Sequence, residues 1–333
     1  MKSFAELKTI VQDLHGIYGK RVYTELVLIA IIAWGAYFSL FLELPLTFKI
    51  ALFFISAIFF YRGLSFIHEV SHFDRILPRF RLTYNTLFGV PYRVPAYCLT
   101  THNFHHGIKT FGSIADPEYE KWTERKKIFL LRPFILSFLY PMVLTIRFGI
   151  TPLLYPLMSE SAQKSIYQKI SSFVMNLKYL RPFSKDDFSQ MKAQDIACAI
   201  YFVSFCIVTT YLGVFKLAFG IWYAQIVFIS LMNTYRALVA HRYQIHNADA
   251  QTSARDLQVN DSVTIEGSFL TEIWAPIGLR YHSTHHMFPM IPYYNLSRAH
   301  KRIKAAITPD HPYSKTIEPN FIAAFSKLVV SCR

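Results

Sequence analysis

The chain has 333 residues, of which 53% are hydrophobic and only 17% are charged. Soluble domains carry about a quarter of their residues charged, so the composition predicts a membrane protein. The formal net charge of +14 does not indicate a nucleic-acid partner, because the basic residues lie between long apolar segments rather than in one soluble basic module. The four cysteines form no CxxC pair and predict neither a disulfide framework nor a zinc ribbon.

Four segments are apolar and long enough to cross a bilayer as helices: residues 26–42, 48–64, 196–212 and 217–234. A very short turn joins the members of each pair, so we expect two transmembrane helical hairpins. The apolar stretch 128–158 contains four prolines, and we expect it to be an interfacial segment or a further hairpin. Residues 1–23 form an amphipathic cytoplasmic segment, 24–305 one membrane domain, and 306–333 a cytoplasmic tail.

The basic residues predict the orientation of the chain. Residues 62–127 contain ten Lys and Arg, residues 159–193 six and residues 236–333 eleven, whereas the two hairpin turns contain only Lys216. The positive-inside rule therefore places all three long regions in the cytoplasm. The predicted fold is an all-α, multi-pass integral membrane protein with a cytoplasmic helical cap.

Histidines form three boxes in the predicted cytoplasmic regions. His68 and His72 make H-x-x-x-H, and H-x-x-H-H occurs twice, as His102, His105 and His106 and as His282, His285 and His286. Positions i, i+3 and i+4 share a helix face, so each box points two or three imidazoles the same way. Two copies of H-x-x-H-H among 13 histidines in 333 residues are not a chance pattern. Eight imidazoles are enough for two metal ions, either iron or zinc.

Two other classes of protein fit these residues less well. The first box reads H-E-x-x-H with Glu69, a zinc-protease motif, but a protease would leave six clustered histidines without a role. A metal transporter would place ionisable ligands inside its spans, and the central parts of the four predicted spans contain no His, Asp or Glu.

The three boxes, in this order and between two hydrophobic hairpins, resemble the membrane fatty acid desaturase superfamily. The stretches "HNFHHGIKTFGSIADPEYE" and "GLRYHSTHHMFPMIPYYNLSRAHKRI" resemble its bacterial members in particular, so a bacterial inner membrane is favoured. The resemblance implies that the eight boxed histidines hold two non-heme irons that activate O2 and abstract hydrogen from an acyl C–H bond.

The resemblance also implies a ninth ligand just after the last span. His241 in "YRALVAHRYQIH" is the first candidate and His246 the second. Carboxylates near the boxes are candidates to accept a hydrogen bond from a ligand's other ring nitrogen; they are Glu69, Asp116, Glu118 and Asp261.

From these observations we predict O2-dependent desaturation of a fatty acyl chain carried by a lipid or a thioester. Hydroxylation or ketolation of a lipid, sphingolipid or carotenoid at the same centre is the alternative, because the position of the C–H bond relative to the irons decides the outcome. The sequence contains no electron-carrier motif, so a partner must supply electrons, such as a ferredoxin or a cytochrome b5 with its reductase.

Overall fold

The computed structural model describes residues 3–244 and 254–333. Its α-helices, in chain order, are α1 (Phe4–Ile10), α2 (Gly19–Ser39), α3 (Leu46–Ser65), α4 (Ile67–Phe73), α5 (Phe80–Tyr84), α6 (Val90–Tyr92), α7 (His102–His105), α8 (Arg132–Leu144), α9 (Glu160–Ile170), α10 (Lys185–Tyr211), α11 (Phe215–Leu238), α12 (Ala254–Asp261), α13 (Leu270–Trp274), α14 (His282–Met287), α15 (Tyr293–Ala306), α16 (Pro312–Lys315) and α17 (Phe321–Ser331). Short 3-10 helices lie at Gln12–Leu14, Ala96–Leu99, Trp122–Glu124, Lys127–Leu131 and Thr151–Leu157, and π-helical turns at Asn85–Gly89 and Thr145–Ile150. Two strands, β1 (Thr264–Ile265) and β2 (Ile317–Glu318), pair in parallel. The regular secondary structure of the described part is nearly all helical, which confirms the predicted α class.

Five helical stretches among the described residues are long and apolar enough to cross a membrane: Gly19–Ser39, Leu46–Phe73, Lys127–Leu157, Lys185–Tyr211 and Phe215–Leu238. Four of them correspond to the predicted spans. The second runs on through α4 and therefore carries the first histidine box at its end. The number of long apolar helices fits a multi-pass membrane protein.

The stretch Lys127–Leu157 is more continuous than its prolines suggested, and its interfacial position stays a prediction. The sequence indicated an interfacial segment or a hairpin, because prolines interrupt it. The structure forms one helical run instead, with Pro141 inside α8 and a π-helical turn directly after it. Its outer face is apolar, with Ile135 63% and Phe138 55% exposed. A run of this length and polarity suits a bilayer crossing as well as an interfacial position, so two hairpins are not established.

The chain divides into two compact units. The first unit comprises Met1–Gly19, Asn103–Pro133 and Met232–Arg333, and the second unit comprises Lys20–His102 and Phe134–Leu231. The second unit contains most of the apolar helices.

Polar side chains connect the helices of the second unit. Ser56 on α3 donates to the carbonyl oxygen of Ala33 on α2 at 2.9 Å and accepts from Gln225 on α11 at 3.0 Å. Gln225 in turn accepts from the Tyr92 hydroxyl of α6 at 2.6 Å. All these groups are satisfied inside the protein, as an apolar surrounding requires.

A buried ion pair joins α10 to the π-helical turn Thr145–Ile150, and a tyrosine links it to the segment before the second histidine box. Arg147 Nη1 lies 3.0 Å from Asp195 Oδ2, and these side chains are 5% and 0% exposed. The Tyr97 hydroxyl donates to Asp195 at 2.6 Å, and the Tyr155 hydroxyl donates to the same carboxylate. Because Tyr97 belongs to the 3-10 helix at Ala96–Leu99, this network fixes the backbone that leads into His102.

The first unit has its own hydrophobic core, built from α1, α12, α14 and α15. A capping box between Ser3 and Glu6 starts α1. The core residues are Leu7, Val11, Leu14, Val259, Tyr281, Met287, Phe288, Ile291, Leu296, Ala299, Ile303 and Tyr313. This packing holds the third histidine box, on α14, against α12 and α15.

Candidate metal centre

The third histidine box folds as helix α14, which presents its three histidines at i, i+3 and i+4. His282, His285 and His286 are 4%, 2% and 2% exposed. The helix is held from its other face, where Thr284 Oγ1 lies 2.5 Å from the Tyr313 hydroxyl. A short helix fixed in this way keeps three imidazoles in a defined direction.

A left-handed glycine turns the chain into α14. Gly278 has a φ of +73°, and a Cβ at this position would lie 2.8 Å from the carbonyl oxygen of Tyr293. Only glycine meets both requirements without strain. The turn that leads into the third histidine box therefore depends on Gly278.

The second box is held by a buried carboxylate. Both oxygens of Asp116 lie 3.0 Å from His105 Nδ1, and Asp116 is fully buried. The same carboxylate accepts the backbone N–H groups of Gly112 and Glu118, each at 2.9 Å. Gln258 donates to the carbonyl oxygen of His105 at 2.9 Å. Backbone and ring of His105 are thus both fixed.

His241 lies three residues beyond the end of α11, in a β-bridge with Ser262. Its Nδ1 faces the Ser262 hydroxyl at 3.4 Å and Asp261 Oδ2 at 3.6 Å. The backbone N–H of Gln244 fixes the other oxygen of Asp261 at 2.7 Å. The bridge aims the Nε2 side of His241 away from the carboxylate.

Four of these histidines converge within the first unit. Ligand atoms of His105, His241, His282 and His286 all lie within 4.8 Å of one another, and all four residues are buried. His241 Nε2 lies 3.1 Å from His105 Nε2 and 2.9 Å from His282 Nε2. His286 Nε2 lies 3.0 Å from His282 Nε2. Residues separated by up to 181 positions in the chain thus form one nitrogen cluster, which we call the four-histidine group.

Two carboxylates favour the ring tautomers whose lone pairs point into the four-histidine group. Asp116 and Asp261 favour a hydrogen on Nδ1 of His105 and His241, which leaves the Nε2 lone pairs of both rings facing each other. Two lone pairs 3.1 Å apart repel unless a positive charge lies between them. The donor set therefore fits a metal ion, and neutral imidazole nitrogen suits iron or zinc.

Burial adjusts the protonation of the same rings. It holds the pKa of His282 and His286 well below the usual range, and the neighbouring imidazoles lower both further. These two histidines are neutral at pH 7 and can offer a lone pair. For His105, burial opposes protonation, but the charge and hydrogen bond of Asp116 raise its pKa overall. Asp116 thus stabilises a positive charge at this position.

A second contact within the first unit joins one further histidine from each H-x-x-H-H box. His106 Nε2 lies 2.9 Å from His285 Nε2, and the ring centroids are 4.6 Å apart. The two rings therefore also direct nitrogen atoms toward one another.

Within the second unit, His68, His72 and His102 form a cluster of three. Their ring centroids are 5.0 Å apart for His68 and His72, 4.6 Å for His68 and His102, and 5.0 Å for His72 and His102. Glu69 Oε1 lies 3.3 Å from His68 Nδ1, so this carboxylate supports a histidine ring. In the protease motif the glutamate activates water instead, and the observed contact does not favour that role.

The four carboxylates predicted from the sequence lie at different distances from the histidine rings. Glu69, Asp116 and Asp261 face a histidine Nδ1, whereas Glu118 contributes its backbone N–H to Asp116 and a more distant charge to His105. His246 lies outside the described residues.

Sequence reasoning missed two neighbours of the four-histidine group. Gln258 supports His105, and the Phe111 ring lies 5.2 Å from that of His105 and 5.6 Å from that of His286. Neither residue belongs to a motif, so only the folded chain identifies them. By contrast, His300 bonds to Tyr313 and Glu266, as expected for a structural histidine outside the boxes.

Comparison with known proteins agrees with this geometry. The family model for fatty acid desaturases matches residues 44–316. A ceramide hydroxylase from Caulobacter vibrioides (strain NA1000 / CB15N) is 30% identical over 326 residues, covering 92% of this chain and 87% of the relative. No solved structure matches. The family match extends over most of the chain and includes all three histidine boxes, and the chain therefore belongs to the fatty acid desaturase family, a family of membrane oxidoreductases.

Proposed function

We propose that this protein hydroxylates a hydrocarbon chain of a ceramide or a closely related sphingolipid. One C–H bond of the lipid is replaced by C–OH, using one oxygen atom of O2. The other oxygen atom leaves as water, with two electrons and two protons from an external donor. The four-histidine group with its carboxylate partners carries the oxidoreductase assignment. The ceramide hydroxylase, similar over 92% of this chain, favours hydroxylation over the desaturation that the sequence alone predicted.

We assign the ligands as follows. One iron is held by His105, His241, His282 and His286, because their nitrogens converge in a buried site. The resemblance to the family implies a second iron, for which the remaining boxed histidines are the candidate ligands: His68, His72, His102, His106 and His285. When bound, the iron pair supplies the activation of O2 and the abstraction of hydrogen from carbon.

The surrounding residues act on the ligands. Asp116 fixes the ring tautomer of His105 by a hydrogen bond, and the charge of Asp261, 3.6 Å from His241 Nδ1, favours the matching tautomer of His241. The Phe111 ring covers the four-histidine group on one side. It displaces water there, which strengthens every charge interaction inside the group.

Electrons must come from a partner. With a net charge of +14, the chain suits an acidic donor, and we propose a ferredoxin or a cytochrome b5 with its reductase. We also propose that the boxes face the cytoplasm, in a bacterial inner membrane, because the basic residues adjoin the histidine-bearing regions.

Desaturation of a fatty acyl chain is the second candidate. It follows from the family itself and differs only in the last step, in which a second hydrogen leaves the neighbouring carbon. The products are then a carbon–carbon double bond and two molecules of water. No residue described above separates the two outcomes, because the substrate position decides them.

Lipid mass spectrometry under ¹⁸O₂ distinguishes these outcomes. The protein is expressed in a bacterial host that contains ceramides, beside a His282→Ala variant and a His15→Ala control. His15 lies outside the boxes, and its Nδ1 is 3.2 Å from the carbonyl oxygen of Val11. We expect a ceramide that gains one ¹⁸O atom with wild type and His15→Ala, and not with His282→Ala. A lipid that loses two hydrogens and gains no oxygen would overturn hydroxylation and favour desaturation. An unchanged lipid profile from an iron-loaded protein with its donor present would overturn both.

A further inference from the structure

The second unit contains an apolar cavity whose lining includes none of the boxed histidines. It has a volume of about 650 Å³, within the range of about 300–1,000 Å³ for ligand pockets. Its walls come from α2, α10, α11 and the end of α6, and include Trp34, Phe38, Phe205 and Leu212. These residues lie toward the α2–α3 and α10–α11 turns, whereas the first histidine box follows the opposite end of α3.

One charged residue lines this cavity. Arg93 is 1% exposed, and its guanidinium carbon lies 4.0 Å from the ring centroid of Trp222 and 4.4 Å from that of Phe202. Cation–π stacking engages the face of a guanidinium and leaves its in-plane N–H donors to other groups. Arginine remains protonated in proteins, so the cavity wall carries a full positive charge.

The hydrogen bonds of Arg93 are incomplete. Its Nη1 donates to Thr145 Oγ1 at 3.3 Å, and its buried Nε has no partner among the described residues. Nor does any carboxylate in the described ranges pair with it. A guanidinium has five N–H donors, so most of them are unused.

Two other buried arginines of the second unit provide an internal comparison. Arg147 pairs with Asp195 and donates to Ser171 at 2.8 Å. Arg181 donates to two carbonyl oxygens, at 2.9 and 3.1 Å, and to the Thr100 hydroxyl at 2.5 Å. This fold therefore satisfies its buried guanidinium groups, and Arg93 is an exception. Burial of an uncompensated charge is costly, which indicates a missing anion.

We propose that this cavity binds a long-chain fatty acid, with the carboxylate on Arg93 and the hydrocarbon chain along the aromatic and aliphatic wall. A single cation matches a single negative charge, whereas a phosphate monoester would bring almost two. The Tyr201, Ser204 and Thr209 side chains also line the cavity. This proposal concerns the second unit alone and does not depend on the proposed reaction.

The test uses the full chain in detergent and the natural fluorescence of Trp34 and Trp222, which line the cavity. Dibromostearic acid, its methyl ester and a brominated lysophosphatidic acid serve as quenching ligands at pH 8. A charge-assisted hydrogen bond is worth about 10–100-fold in affinity. We expect saturable quenching by the acid, and weaker binding of the ester by that factor. A preference for lysophosphatidic acid, or equal binding of acid and ester, would overturn the proposal.

Two variants test whether Arg93 causes the preference for the acid over the ester. Arg93→Gln should abolish the preference for the acid over the ester, and Arg93→Lys should retain part of it. Without ligand, Arg93→Gln should melt at or above the wild-type temperature, because an unpaired buried charge is removed. If Arg93 were only structural, Arg93→Gln would lower the melting temperature while the acid kept its advantage. The comparison of acid and ester on the wild type needs no variant, so misfolding of either variant still leaves a decisive result.

Discussion

The Asp116→Asn variant tests most directly whether the carboxylate beside His105 strengthens metal binding by the four-histidine group. The carboxylate accepts from three donors: His105 Nδ1 and the backbone N–H groups of Gly112 and Glu118. The single carbonyl oxygen of Asn accepts about two of them, and its NH₂ group then faces the third donor. An unsatisfied buried donor costs about 1–3 kcal/mol. Loss of a carboxylate partner weakens metal binding about 10–100-fold, or about 1.4–2.7 kcal/mol.

The assay measures iron per chain after equilibration with graded chelator. We expect the Asp116→Asn variant to lose half of the iron bound at the four-histidine group at a chelator concentration about 10–100-fold below wild type. Asp310→Asn, at an exposed aspartate far along the chain, should behave like wild type. Circular dichroism confirms that both variants are folded. An unchanged half-point in the folded Asp116→Asn variant would show that His105 is not held for a metal by this carboxylate.

Three further changes probe other features. His241→Ala should remove about one iron per chain while His15→Ala removes none, as measured by elemental analysis; equal iron content would exclude His241 as a ligand. Asp195→Asn should destabilise the protein by about 3–5 kcal/mol, because Arg147 is left buried without a counter-charge. Adding Arg147→Met should recover part of that loss in thermal unfolding, and strictly additive effects would refute the pairing. Gly278→Ala should lower both the melting temperature and the iron content, since its Cβ meets a backbone oxygen; a wild-type result would contradict the required turn.

Much of the histidine arrangement could be predicted from the sequence, because it depends on residues close together in the chain. The i, i+3 and i+4 spacing on α14 fixed the direction of three rings, and short distances along the chain linked Asp116 to His105. His241 was identified from its position just after a span. The structure brings it within 3.1 Å of His105, while its role as a ligand stays a prediction.

The remaining features depend on contacts between distant parts of the chain. Arg147 and Asp195 are 48 residues apart, and no local pattern marks them as partners. Gln258 contacts a carbonyl 153 positions away. The prolines of Lys127–Leu157 suggested breaks, but a π-helical turn and 3-10 geometry absorb them into one run. The cavity beside Arg93 exists only after four segments have packed.

The spread of the four-histidine group along the chain has a consequence for biogenesis. His105 leaves the ribosome some 136 residues before His241, and His282 and His286 follow about 41–45 residues later. No ion can be held by all four rings until α14 has been synthesised and folded. The apolar helices α2, α3, α8, α10 and α11 are thus all synthesised before the four-histidine group can hold an ion. Translation order itself delays the assembly of this site until His286 of the 333-residue chain has been synthesised.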